Sequence, residues 1–516
     1  MDDKDRPTPP GLVAKLAVVA MGLAAAGLVL LGTAKYGPGL WPDGTNLLWA
    51  AKNVIAGRGF LASDGQPMVE WPPLFPALVA LASVGRIDTW SAVRFMNALS
   101  FGLIVFLAGK VFLGSFRLRS LALLGTAAIL ISHPLAAVAV MAWPDTLLNL
   151  FVVLFLVLFS RFAVAPRVST FIPVCLVVTG ACLAHYSGVS VALASIVAVA
   201  LMPGVRPGTR FAYAATLGMS GLGPLAAWLS RNISLTGTLA GTRVPVTRVH
   251  FLEGVLTALR EWFFQPRLTR WLGILGLVLS VVLVVVLVLL VLRRNRGRTD
   301  RLAWFGRTSV VWLAAFGAFL LVPEPPMNFD PIPDRVMVPA FVVTIYLLIS
   351  GLDWLASYLS RKLSHARLAE LASLALGLLW LSYPLTHVST VYGNWVTYGT
   401  GGYNSDQWRE SATVKWLQAD PPPTELRVFT NEPLALRVCV GIPAERSPLR
   451  KDDLVSFRRS LGSSPALLVW FKNTSSNALA TPAELGRALK VEPDNIRLPD
   501  AEIYRIRPES SELRKP

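Results

Sequence analysis

Apolar runs long enough to cross a lipid bilayer recur along this chain, and no other feature limits its fold so sharply. Residues 281–292, VVLVVVLVLLVL, are the plainest case. In hydrocarbon, every backbone polar group must find its partner within the protein, and a helix of about 20 apolar residues does this while spanning the bilayer. Such stretches lie near 12–34, 92–114, 119–138, 144–161, 169–184, 187–203, 210–230, 271–292, 304–322, 335–357 and 367–390. The expected fold is therefore a multipass α-helical membrane protein with about eleven (10–13) transmembrane helices. Composition agrees: 53% of the residues are hydrophobic and only 15% are charged, where soluble domains carry about a quarter charged. The first run is too long for the core of a signal peptide and reads as an uncleaved first span.

The net charge of +17 would suit a nucleic-acid binder, but its distribution points to topology. With the N-terminus inside, the inner segments hold 18 Lys and Arg in 61 positions, against 11 in 127 for the outer segments. This is the bias of cytoplasmic loops, and RRNRGRTDR at 293–301 is its strongest anchor. No nucleic-acid partner is expected. The N-terminus is expected in the cytoplasm and the C-terminal region outside. Asp43, Glu70, His133, Asp145, His185, Arg231, Glu324, Asp330, Asp334 and Arg335 then all fall at outer span ends or in outer loops. Charged groups near membrane depth are costly and usually face a cavity or a partner, so their gathering on one face suggests a site there.

Residues 1–390 form the expected membrane domain, with a structured first outer loop at 35–91. Residues 391–516 differ in composition. ELRVFT, ALLVWF and AEIYRI read as short strands, with helical PLALRVCVG and TPAELGRALK between them. In the second helix Thr481 and Glu484 have capping-box spacing. A small extracytoplasmic α/β domain is expected, without a phosphate-binding glycine loop. Cys175, Cys182 and Cys439 have neither disulfide nor metal spacing.

In the first outer loop, Asp43 precedes the helical stretch NLLWAAKNVIA, which Gly57 and Gly59 end. Taken alone, Asp43 is as good a helix cap as a site residue. Glu70 stands before WPPLFPAL, whose prolines suit a helix entrance. Asp145 in AWPDTLL can likewise cap a helix. His133 precedes a proline. Arg335 is either an interface residue whose head reaches to water or a phosphate ligand.

The stretches PDGTNLLWAAKNVIAGRGF, VEWPPLFPALVA, SHPLAAVAVMAWPDTLLNLFVVL, HYSG, RNISLTGTLAGTR and DRVMVPA follow one another in a recognisable order. That order resembles the GT-C superfamily of membrane glycosyltransferases, which includes protein O-mannosyltransferases and the aminoarabinose transferases that modify lipid A. The resemblance implies transfer of a sugar from a polyprenyl-phosphate carrier to a glycan, lipid or protein acceptor at the extracytoplasmic face, with inversion at the anomeric carbon. It makes Asp43 the acceptor-activating or acceptor-orienting carboxylate, with Glu70 and Asp145 as further catalytic acids. Arg335, His185 and Tyr186 would meet the carrier phosphate, and Arg231 and Arg243 would shape the acceptor path. Glu70, with His133, is the candidate to hold a divalent metal. Two departures stand out. Trp71 occupies a place where the aminoarabinose branch has a basic residue, and His185 one where relatives often carry a basic residue before Tyr. The rival readings are a transporter or flippase for a lipid-linked or anionic substrate, and a family member without catalytic activity.

Overall fold

A computed structural model describes residues 9–85, 87–241, 248–263, 266–321, 333–362, 366–450, 454–462, 464–472, 474, 479–487 and 489–507. They form two compact units, one of residues 1–38 with 46–397 and one of 39–45 with 398–516.

The first unit is helical. Its helices are α1 (Leu12–Gly32), α2 (Pro42–Ile55, whose first turn belongs to the second unit), α3 (Leu74–Ser83), α4 (Thr89–Ser115) and α5 (Arg119–Leu130). There follow α6 (His133–Ala139), α7 (Asp145–Val164), α8 (Val168–Ala184), α9 (Val189–Ala200) and α10 (Pro207–Thr236). The last five are α11 (Arg248–Phe263), α12 (Pro266–Arg294), α13 (Arg301–Leu321), α14 (Pro333–Lys362) and α15 (Ala366–Tyr398). Ten of the eleven apolar stretches fall on one helix each, and 119–138 is divided between α5 and α6. Among the described residues, seven helices are long and apolar enough to cross a membrane, and the α5–α6 pair, bent by 44°, makes an eighth. Helices α8 and α9 are shorter because the chain breaks between them, in a 3-10 turn at Tyr186–Gly188. A Cβ on Gly188 would lie 2.0 Å from the Ala181 carbonyl oxygen, so only glycine fits this break.

Packing follows membrane rules, where small residues let backbones approach. A Cβ on Gly102 of α4 would lie 2.8 Å from the Gly22 carbonyl oxygen of α1. The Thr179 hydroxyl of α8 donates to the Ser220 carbonyl of α10 at 2.6 Å. Cys182 is fully buried as an ordinary core residue.

The connection between α2 and α3 is structured. After α2 the chain turns into a short ladder, in which Ala62 N–H donates to Gln66 O and Met68 N–H to Phe60 O. Asn53 donates to the Leu61 carbonyl at 2.8 Å, and Arg58 holds the Asn53 carbonyl oxygen through Nε and Nη2. Pro72 and Pro73 stand just before α3, with Pro73 as its N-cap.

The second unit contains a strand pair, β1 (Gly399–Gly401) with β2 (Asn404–Ser405), and a five-stranded mixed sheet. The sheet is built from β3 (Arg427–Thr430), β4 (Glu445–Arg446), β5 (Ala466–Phe471), β6 (Lys490–Arg497) and β7 (Ala501–Arg507), in the order β4-β3-β5-β7-β6. Strands β4, β3 and β5 run parallel, and β7 and β6 add antiparallel pairs. Helices Ala412–Ala419, Pro433–Cys439, Leu454–Leu461 and Pro482–Leu485 accompany it. Phe429, Leu468, Leu485 and Ile506 lie in its core. The Thr481–Glu484 capping box forms. Strand β6, KVEPDNIR, escaped the sequence reading because it is charged and carries a proline. It is an edge strand, the place where both are tolerated.

Segment 39–45 belongs to this unit through backbone pairing: Leu40 N–H donates to Gly401 O at 3.3 Å, and Tyr403 N–H donates to Leu40 O at 2.7 Å.

Candidate functional site

Four helix ends and one loop of the helical unit bring most of the expected residues together. At the start of α14, Arg335 Nε donates to Asp145 Oδ2 at 3.1 Å, and both side chains are only 4% exposed. Asp145 is the first residue of α7. The N-cap position is Pro144, so Asp145 stands one residue inside the helix, where its carboxylate pairs with the Arg335 charge.

Two indoles flank the Arg335 guanidinium, Trp143 at 3.9 Å and Trp71 at 5.1 Å from the ring centroids. Arginine stacks on aromatic faces because its planar cation is weakly hydrated and the ring face is electron-rich. Trp71 also packs against His185, with ring centroids 5.2 Å apart. The His185 ring is oriented by its own backbone turn: Ser187 N–H donates to its Nδ1 at 3.1 Å.

The loop carrying Glu70 and Trp71 is pinned by side chains from two helix ends. Tyr186 OH donates to the Val69 carbonyl at 2.8 Å. Asn232 of α10 donates to the same carbonyl at 3.3 Å and to Leu239 O at 2.9 Å. Arg231, stacked on Trp228 at 4.3 Å, donates to Met68 O at 3.1 Å. The chain after α10 then closes over Glu70, since a Cβ on Gly241 would lie 2.9 Å from Glu70 Cγ. Asn232 and Trp143 were missed in the sequence. The usable signal was an Asn inside an apolar helix, fully buried here, and a Trp next to the Pro-Asp pair.

Other expected residues lie elsewhere. His133 opens α6, and its ring packs against His387 of α15, with centroids 4.7 Å apart. Among the described residues no group of three or more His, Cys, Asp or Glu could hold a metal ion. The Glu70 and His133 metal pair therefore has no supporting cluster there, and no chemical step is assigned to a metal. Glu324, Asp330 and Arg243 lie outside the described residues, as does the side chain of Asp334.

Asp43 is not the cap of α2. That helix starts at Pro42, and its first backbone bond runs from Thr45 N–H to Trp41 O at 2.9 Å. Asp43 sits inside the first turn, where the positive end of the helix dipole stabilises a carboxylate.

Neither a protein-family model nor a curated protein matches this sequence. Solved structures do match in fold. The apo crystal structure of ArnT from Cupriavidus metallidurans covers 96% of this chain and 98% of its own, with a TM-score of 0.61 and 13% identity. The structure of ArnT from the same organism bound to undecaprenyl phosphate covers 96% and 99%, with a TM-score of 0.59 and 13% identity. Over nearly its whole length, then, the chain has the fold of ArnT from Cupriavidus metallidurans.

Proposed function

We propose that this protein transfers a sugar from a polyprenyl-phosphate carrier to an acceptor hydroxyl at the extracytoplasmic membrane face. One observation carries the reading: a buried arginine, Arg335, is fixed at the end of a membrane helix by a carboxylate and two indoles. A guanidinium fixed in this way is suited to a lipid phosphate, whose oxygens match its fork of donors. The fold of a neighbour solved with undecaprenyl phosphate supports the same assignment.

In this reading the acceptor oxygen attacks the anomeric carbon from the face opposite the carrier. The bond from that carbon to the phosphate oxygen breaks, and the lipid phosphate leaves with the electron pair, so the centre inverts. Arg335 offsets the charge that develops on the departing phosphate. Asp145 holds the guanidinium in its orientation. His185 and Tyr186 border the carrier headgroup, and Tyr186 also sets the height of the Glu70 loop. Glu70 orients the acceptor or sugar. Asp43 takes the acceptor proton, a role that rests on its place in the motif order.

The test is transfer of labelled sugar from polyprenyl phosphate by the purified full chain. Arg335→Lys should raise KM for the carrier-linked donor, because a point charge replaces the fork. Asp43→Asn should lower kcat by about 100-fold or more, the scale of a lost general base. Full activity in Asp43→Asn removes the proposed base. Movement of the donor across the membrane without product would instead make the protein a transporter.

A further inference from the structure

At the other end of α14 lies a cavity of about 610 Å³ lined by Arg117, Arg293, Arg294, Arg296, Arg298 and Arg361, with Asp353 as the one acidic residue in its wall. Between Arg335 and Arg361 run about 39 Å of helix at 1.5 Å per residue, so this cavity is remote from the Arg335 site. Every lining residue belongs to the helical unit.

Part of the cavity is built as rigid wall. Arg294 pairs with Asp353 at 2.9 Å and donates to the Ser115 carbonyl at 3.0 Å. Asp353, which is buried, also accepts the backbone N–H groups of Arg117 and Leu118. Arg117 pairs with Glu370 at 3.1 Å, and Arg298 pairs with Asp300 at 2.8 Å. Arg293 and Arg296 are exposed and have no carboxylate partner among the described residues. Among the described residues, the cavity thus keeps a surplus of cationic charge that no carboxylate neutralises.

Its depth in the membrane is marked independently. Trp354 and Tyr358 stack at the rim, with centroids 5.3 Å apart, and both are more than a third exposed. Paired amphipathic rings of this kind sit at headgroup level. The face of α12 that leads to the cavity carries a run of exposed apolar side chains, with Val285, Val286, Leu289 and Leu292 each exposed by 41–59%. A cationic pocket at headgroup level, continuous with an exposed apolar helix face, fits a molecule with one phosphate and long acyl chains.

We propose that this cavity binds the phosphate headgroup of an anionic phospholipid, with its acyl chains along the exposed face of α12. Arg293 and Arg296 supply the charge, and the wall of Arg294, Asp353 and Arg117 supplies the shape. A basic topology signal alone would need no walled cavity, and a free phosphate would need no apolar approach.

The test is native mass spectrometry of the full chain in detergent, titrated with phosphatidylglycerol or phosphatidylcholine. The variants are Arg293→Gln with Arg296→Gln, Arg293→Lys with Arg296→Lys, and the control Arg161→Gln with Arg206→Gln, which removes two charges elsewhere. Wild type should bind one phosphatidylglycerol in preference to phosphatidylcholine. The Gln pair at 293 and 296 should weaken it about tenfold or more, and the Lys pair by less than about threefold. The control should bind as wild type does. Three results each overturn the proposal: no headgroup preference, an equal loss in the control, or displacement of the lipid by inorganic phosphate at matched concentration. Unfolding temperatures in phosphatidylcholine check that the variants fold.

Discussion

Arg335 and Asp145, 190 residues apart in sequence, form an ion pair in which each side chain is 4% exposed. Buried pairs are asymmetric in their energetics. Removing one partner strands a charge, whereas replacing both with apolar groups can be nearly neutral. Asp145→Asn alone is therefore expected to destabilise the protein by about 3 kcal/mol or more. Combining it with Arg335→Met should recover most of that loss and leave sugar transfer abolished. Denaturant unfolding in detergent, run beside the transfer assay, reads both. Equal destabilisation in the single and double variants would contradict the pairing.

The Val69 carbonyl accepts from both Tyr186 and Asn232, so either donor alone should leave it satisfied. Tyr186→Phe is expected to cost about 1 kcal/mol, the usual net worth of one hydrogen bond. Asn232→Leu also strips the Leu239 contact and should cost more. In both variants hydrogen exchange of residues 68–74 should accelerate while α4 stays protected. Unchanged exchange in that loop would show that the pins do not set its position.

Gly402 has φ +57°, and a Cβ there would lie 1.9 Å from the Leu40 carbonyl oxygen. Gly402→Ala should therefore break the pairing of segment 39–45 with residues 401–403, the segment that carries Asp43. Transfer should fall at least tenfold with little change in the unfolding of the membrane helices. Proteolytic sensitivity at residues 39–45 provides the structural readout, and wild-type resistance would argue against the strain.

Burial raises the Glu432 carboxyl above its ordinary value of 4.5, while the Tyr403 hydroxyl, which donates to it at 3.2 Å, partly offsets this. A raised folded pKa means that the folded state holds the proton longer. The stabilisation is full below about pH 4.5 and is lost as pH rises through the folded value. Glu432→Gln should remove this loss and make β3 and its neighbours more stable near neutral pH than in the wild type. Hydrogen exchange of residues 427–436 across pH 4–8, corrected for intrinsic rates, measures it. A parallel pH dependence in the Gln variant would point to another group.

The helical fold was readable because hydrocarbon leaves a chain few choices: all eleven apolar stretches became helices. The break between α8 and α9 was less readable. Its cause is a close approach of Gly188 to Ala181, a relation that hydropathy does not record. At the site, charge counting placed ten residues on one face, and of these the segments carrying Glu70, Asp145, His185, Arg231 and Arg335 converge. The residues that hold them were harder to see. Trp143 and Asn232 act through orientation, and their local signals, a Trp before Pro-Asp and an Asn within an apolar helix, do not name the partners they hold. For His133, the place beside a span end says nothing about His387, 254 positions away, against which its ring packs. The edge strand β6 was hidden by the same charges that keep an edge from pairing with other chains.

Helix α14 has one further consequence. Its charged ends, Arg335 and Arg361, are separated by about 39 Å of helix, longer than the roughly 30 Å of bilayer hydrocarbon. The helix is thus a ruler with polar stops, and the Arg335–Asp145 pair sits at one of its stops. Membrane thickness sets the depth at which that pair meets the lipid boundary. A thicker bilayer would bring the helix nearer the membrane normal, and a thinner one would tilt it further and turn its indole-flanked face.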